Sequence, residues 1–290
     1  VALAGPVAII GAAGQLGTDL QRAMSDRSLV PLTHADLDIR DADAVRRMLD
    51  DVRPSAVINT SAYHRVDECE DHPDLAFEVN AIAVRRLAEA CGAGGATLVH
   101  FSTDYVFSGE RSTPWREDDA PLPPNVYAAS KLAGEHLVRS AMRRHFVVRT
   151  CGLYGAAGSA GKGGNFVETM LRMAREGKSI SVVSDQTAAP TATADLAEKV
   201  RELLETEAYG LYHLTNAGEC TWFRFAQEIF TLAGLSPELS PTTSAAFGAR
   251  APRPTYSVLD NAALRDTGII PMRPWPEALA AYLKERGHVR

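Results

Sequence analysis

The chain has 290 residues, 46% of them hydrophobic and 23% charged, which excludes a disordered or low-complexity protein and leaves room for one large α/β body with a smaller appended lobe. A formal net charge of −6, with no basic run longer than a pair such as Arg143-Arg144, argues against a nucleic-acid partner, since affinity for phosphate backbones rests on clustered Lys and Arg. No apolar stretch approaches the length of a membrane span, residues 1–6 lack the basic flank and apolar core of a signal peptide, and the four scattered cysteines form no Cys-x-x-Cys pair; a cytoplasmic protein with reduced thiols is expected.

Taken in chain order, strand-length apolar runs alternate with helical patterns. Residues 7–10 read as a strand, 15–24 as an amphipathic helix, and 29–32 as a short strand whose proline suggests a strand end or edge. A helix over 42–49, a strand over 56–59, a long helix over 75–91 and a strand over 97–102 follow, then a helix over 127–142 and a strand over 146–149. This is the βαβ alternation of a parallel sheet covered on both faces. Residues 155–164 are rich in Gly, Ala and Ser and read equally as an active-site lid or a surface linker. Beyond them the pattern gives helices over 165–175, 193–204, 222–232 and 275–282 and a strand over 179–183. The expected fold class is α/β, a Rossmann-like doubly wound parallel sheet with a smaller C-terminal α/β substrate-binding lobe. Residues 1–152 are expected to form the dinucleotide-binding domain, completed by about 186–215, and 153–290 to form mainly the lobe.

Gly11-Ala12-Ala13-Gly14-Gln15-Leu16-Gly17 joins the first strand to the first helix. Glycine permits the tight turn and the close approach of a pyrophosphate, and the helix N-terminus offers amides and a positive dipole end. The Gly-x-x-Gly-x-x-Gly spacing resembles the extended short-chain dehydrogenase/reductases. That resemblance implies a catalytic tyrosine with a lysine four residues later, and Tyr127 with Lys131 is the one such pair. An ammonium beside a phenol should draw the phenol pKa down towards the range useful for a proton donor. Of the two hydroxyls in Ser102-Thr103, alignment with the family places Thr103 at the catalytic position; either can instead cap the following turn.

Five motifs together narrow the resemblance. Ser-Thr-Asp-Tyr-Val-Phe at 102–107, Asn-x-Tyr-x-x-Ser-Lys at 125–131, Asp-Gln-x-x-x-Pro-Thr at 185–191, Arg-Pro-x-x-Ser-x-Leu-Asp at 253–260 and Arg-Pro-Trp-x-Glu-Ala-Leu at 273–279 are similar to the dTDP-4-dehydrorhamnose reductase family. The resemblance implies NADPH or NADH as cofactor, held by Gly11, Gly14, Gln15, Leu16, Gly17, Asp38, Ile39, Ala62, Tyr63 and Lys131. It also implies a nucleotide-sugar substrate near Asp104, Tyr105, Gly152 and Arg253, a 4-keto group reduced with Thr103, Tyr127 and Lys131, and no metal. The family's tryptophan after the sixth strand is Gly152 here, which predicts either a wider sugar pocket or a glycine of positive φ whose gap another side chain, such as one from 156–164, fills. His64 stands where the family has threonine and is read as a surface residue, and the acidic stretch 67–71 as a solvated helix start. Two other readings stay open. One is a dinucleotide-binding regulatory subunit resembling the methionine adenosyltransferase β subunit; the other is a reductase or epimerase of another nucleotide sugar. The sequence decides neither the cofactor's 2′-phosphate nor the oligomeric state, and a homodimer is compatible with it.

Overall fold

The computed structural model describes residues 4–157 and 164–289. Six parallel strands form the central sheet: β1 (Val7–Ile10), β2 (Leu29–Leu32), β3 (Ala56–Asn59), β4 (Thr97–Thr103), β5 (His145–Thr150) and β6 (Gly210–His213). Their order is β6-β5-β4-β3-β1-β2. Pro31 sits in β2, at one edge, where a missing backbone N–H is tolerated.

Strand alternation sends neighbouring side chains to opposite faces. On one face Ile9, Ile58, Val99 and Val148 pack against helices α1 (Gln15–Ala23) and, later in the chain, residues Thr193–Leu204, through Leu16, Leu20, Leu196 and Val200. On the other, Ile10, Val57, Leu98 and Val147 meet α2 (Ala42–Val52), α3 (Ala83–Gly94) and α4 (Val126–Ala141), through Val45, Leu49, Val84, Leu87 and Val138. The doubly wound reading of the fold is therefore correct. A separate apolar core lies among α5 (Phe166–Arg175), α7 (Trp222–Ala233) and α8 (Trp275–Glu285), the intervening Thr193–Leu204 being α6. It includes Ile180 and Val182 from the short strand Ile180–Val183, which pairs in parallel with Leu239–Thr242.

The long helix expected over 75–91 is three segments. An α-turn, Pro73–Phe77, runs into a π-helix, Glu78–Ile82, which runs into α3. Strand β6 had no clear signal in its four residues, yet it closes the second edge of the sheet. Of the glycine-rich stretch expected as lid or linker, residues 158–163 lie outside the described residues. Among the described residues no helix is long and apolar enough to cross a membrane, and all four cysteines are buried with none in a disulfide.

Candidate active site

Because β1 pairs with β2 on one side and β3 on the other, chain connections leave it in opposite directions and open a crevice at its C-terminal end. The glycine loop occupies that crevice. Gly11 has φ +81°, and a Cβ there would lie 2.4 Å from Thr60 Oγ1, the hydroxyl that itself donates to the Ile10 carbonyl. A Cβ on Gly17 would fall 2.4 Å from the Gly11 carbonyl oxygen. Gly14 starts α1 with no side-chain cap, and the first turn carries no acid, so the positive helix end is left without an internal anion. By contrast α2 is capped by Asp41 and α4 by Asn125. These features suit a pyrophosphate. Gly11→Ala is expected to cost about 1–3 kcal/mol of stability through strain and overpacking and to abolish dinucleotide binding; thermal unfolding and cofactor titration of the same variant check both.

The other residues expected near the cofactor divide by side chain and backbone. The Gln15 side-chain oxygen accepts from Gly155 N at 2.8 Å and from Asn165 Nδ2 at 3.1 Å, which fixes the side chain and leaves its NH2 and backbone N–H as the donors for a phosphate. Leu16 and Ile39 are buried in the two sheet cores. Asp38 is half-buried and holds Arg40, whose guanidinium keeps the carboxyl below its usual range. Ala62 and Tyr63 follow β3 and are half-buried. Asn80, buried in the π-helix, fixes Tyr63: its Oδ1 accepts from Tyr63 N at 2.9 Å and its Nδ2 donates to the Tyr63 carbonyl at 3.0 Å. The same Nδ2 lies 3.0 Å from Ser130 Oγ on α4. A Cβ on Gly134 would meet the Asn80 carbonyl at 2.2 Å, so α4 approaches this turn as closely as glycine allows.

At the C-terminal end of β4, in register with Thr150 of β5, stands Thr103. Its hydroxyl donates to Asp104 Oδ1 at 3.1 Å, accepts from Tyr105 N at 3.2 Å and lies beside the Tyr127 phenol. Thr103 thus both caps the turn Asp104–Val106 and touches the tyrosine. Ser102 faces the other way and donates to Glu135 Oε1 at 2.5 Å, as period-two alternation requires. Tyr127 opens α4 beside Tyr105, the rings edge-on with centroids 6.4 Å apart.

The electrostatics differ from expectation. Burial pushes the Tyr127 phenol above its ordinary pKa, the nearby Thr103 hydroxyl opposing. Lys131 is 3% exposed, and its ammonium is lowered to about 8, by burial first, with Glu135 one turn on opposing. The sign expected from an adjacent cation is reversed because desolvation of the phenolate outweighs it. Beneath lies a pair that sequence reading missed. Glu135 and Arg149, both fully buried, form a two-pronged ion pair at 2.9 and 2.7 Å, with the guanidinium over the Phe107 ring.

Asp104 is buried, and burial raises its carboxyl against hydrogen bonds from Ser257, Cys151 and Thr103. Arg253 is bound by Asp67 through 2.7 and 2.8 Å contacts, which hold that carboxyl down to about 2, and it also reaches Tyr105. The acidic stretch forms the helix Val66–Asp71, with Asp67 and Glu68 in its partly exposed first turn as expected, and it is also a clasp: Asp71 pairs with Arg250, Glu68 with Arg65, and Glu70 accepts from Val126 N. Among the described residues no group of three or more His, Cys, Asp or Glu could hold a metal ion. His64 is exposed, its Nδ1 3.3 Å from the Ala62 carbonyl. Gly152 has φ +53°, and the space expected to stand open beside it is taken by Trp222 of α7: a Cβ at 152 would lie 3.2 Å from Trp222 Cη2 and 3.3 Å from Pro190 Cα. Gly152→Trp is accordingly expected to lower the unfolding temperature, where an open pocket would leave it unchanged.

A sequence profile of the family described as RmlD substrate binding domain matches residues 6–287. The chain is 41% identical over 280 residues to a dTDP-4-dehydrorhamnose reductase of Streptomyces griseus, covering 93% of this chain and 90% of that protein. It is 42% identical over 276 residues to a probable dTDP-4,6-dihydroxy-2-methyloxan-3-one 4-ketoreductase of Streptomyces antibioticus, covering 93% and 92%. Its fold superposes with TM-score 0.92 on the crystal structure of dTDP-4-dehydrorhamnose reductase from Bacillus anthracis in complex with NADP, at 41% identity, covering 97% of this chain and 99% of that one. A match that runs nearly end to end, in sequence and in fold, places this chain in the RmlD family, that of the dTDP-4-dehydrorhamnose reductases.

Proposed function

We propose that the chain is an NAD(P)H-dependent ketoreductase acting on the C4 carbonyl of a dTDP-linked 4-keto-6-deoxyhexose, with dTDP-4-dehydrorhamnose as its substrate and dTDP-rhamnose as product. The observation that carries this reading is Tyr127 set beside Thr103 at the C-terminal end of the central strands, the end that also carries the glycine loop, with buried Lys131 one helical turn along α4. When bound, the reduced nicotinamide supplies the hydride to C4. The chain's residues supply the rest. Tyr127, kept protonated by burial, gives its hydroxyl proton to the carbonyl oxygen, and Thr103 hydrogen-bonds that oxygen as charge develops. Lys131 provides a positive charge for the ribose side of the cofactor, and the amides of Gln15 and Leu16 face its pyrophosphate. We place this work in the cytoplasm, where four cysteines outside any disulfide remain reduced.

The test is purified protein with NADPH or NADH and a panel containing dTDP-4-dehydrorhamnose and the keto-sugar named for the Streptomyces antibioticus relative. Oxidation of cofactor in proportion to dTDP-rhamnose formed is expected. Cofactor binding without turnover would favour the regulatory-subunit reading, and product without net cofactor consumption an epimerase. Lys131 gives a pH signature. Its lowered pKa means the charged form is lost as pH rises through about 8. kcat/KM for the reduced cofactor reports free-enzyme ionisations and should fall about tenfold per pH unit above that point. Lys131→Met should lose the pH-dependent limb, and a limb that persists in this variant would assign it to another group.

A further inference from the structure

The family's tryptophan is absent at Gly152, yet an indole reaches the same place from elsewhere in the chain. Gly152 lies just past Thr150, the strand partner of Thr103, and the Cys151 thiol between them contacts Asp104. Trp222, the first residue of α7, is brought there by the short antiparallel pairing of Cys220–Thr221 with Thr187–Ala188, and by Thr221, whose hydroxyl caps the helix at Arg224 N. Its ring is half-buried, so one part packs and another stays open. Behind it stands Phe166, the first residue of α5, also half-buried, with ring centroids 4.9 Å apart. Gly152 is tied to this arrangement twice. Its φ of +53° is unfavourable for an L side chain, and a Cβ would press on the indole and on Pro190.

We infer that Trp222, backed by Phe166 and admitted by Gly152, is the apolar wall that holds the sugar end of the substrate and sets its size limit. This rests on the reductase reading above. A 6-deoxyhexose carries a methyl group and C–H faces, which suit an aromatic wall, whereas its nucleoside diphosphate does not. The ring therefore contributes to the sugar and not to dTDP, and it binds substrate and transition state alike.

The experiment measures equilibrium binding of dTDP-rhamnose and of dTDP alone to wild type, Trp222→Ala and Trp222→Phe, with kcat and KM for the keto-sugar. Trp222→Ala should weaken dTDP-rhamnose binding about tenfold or more, equivalent to the stacking of one aromatic ring, and leave dTDP binding within about twofold. KM should rise with kcat nearly unchanged, the pattern of lost uniform binding. Trp222→Phe, which keeps an aromatic ring against the core, should lie between and guards against a folding defect in the alanine variant. Tryptophan fluorescence adds a separate readout, since a ligand-induced change present in wild type and missing in Trp222→Phe must come from this ring, with Trp115 and Trp275 unchanged. Equal binding of dTDP-rhamnose by wild type and both variants, or parallel loss of dTDP and dTDP-rhamnose, overturns the assignment of Trp222 while turnover by the wild type keeps the reductase reading. A wild type that neither binds dTDP-rhamnose nor reduces any keto-sugar overturns both.

Discussion

Tyr127→Phe is expected to fold and bind cofactor as the parent does while losing roughly 10²–10⁴-fold in turnover, the range typical of a lost general acid. The change removes one hydroxyl and keeps the ring that meets Tyr105 edge-on, so the packing at the start of α4 survives. What is lost is the phenol proton beside Thr103. Burial keeps that proton on the phenol at neutral pH, which favours donation to a developing alkoxide over ionisation in the resting enzyme. Single-turnover kinetics with saturating cofactor separate the chemical step from binding. Turnover within a few-fold of wild type would remove Tyr127 from the mechanism.

Arg149→Met should cost about 3–5 kcal/mol of stability, because it strands a buried carboxylate whose two-pronged partner has gone. The Ser102 hydroxyl and, one helical turn away, the Lys131 ammonium would then face the Glu135 charge without a bidentate partner. His213 offers no replacement: burial, and then Arg149 itself, lower its pKa to about 3, so it is neutral. The double variant Glu135→Leu/Arg149→Met should recover most of the loss, since apolar groups of similar volume avoid the desolvation penalty. Urea unfolding of the three proteins measures it. A single variant that loses less than about 1 kcal/mol would mean that water enters or that the carboxyl takes up a proton at little cost.

Local signals made most of the sheet legible. Strands β1 and β3 to β5 each carry a short apolar run between turn residues, the mark of a parallel strand buried on both faces, and the same kind of run marks edge strand β2. The glycine loop and the Tyr127–Lys131 spacing are likewise local, fixed by one turn and one helical repeat. Long-range partners escaped. Nothing near Asp67 announces that Arg253 will grip it, and nothing near Gly152 announces Trp222, because those meetings depend on how α7 and the 250–253 segment pack. The sign of the Tyr127 shift escaped for a related reason: four-residue spacing reports which face a lysine occupies but not how far burial desolvates the phenol. Asn80 was hidden inside a stretch whose apolar period looked like an ordinary helix.

That stretch, Glu78–Ile82, carries one residue more than a regular α-helix would hold in the same length. Deleting any one of the five would let the stretch close into regular α-helix with its flanks little moved, and the widened turn that presents Asn80 would be lost. The side chain of Asn80 could then no longer serve the Tyr63 backbone and Ser130 together. Constraint here falls on the count of residues more than on their kind: exchanges at solvent-facing Ile82 should pass, whereas a one-residue deletion should disable the site without touching any group that meets the substrate.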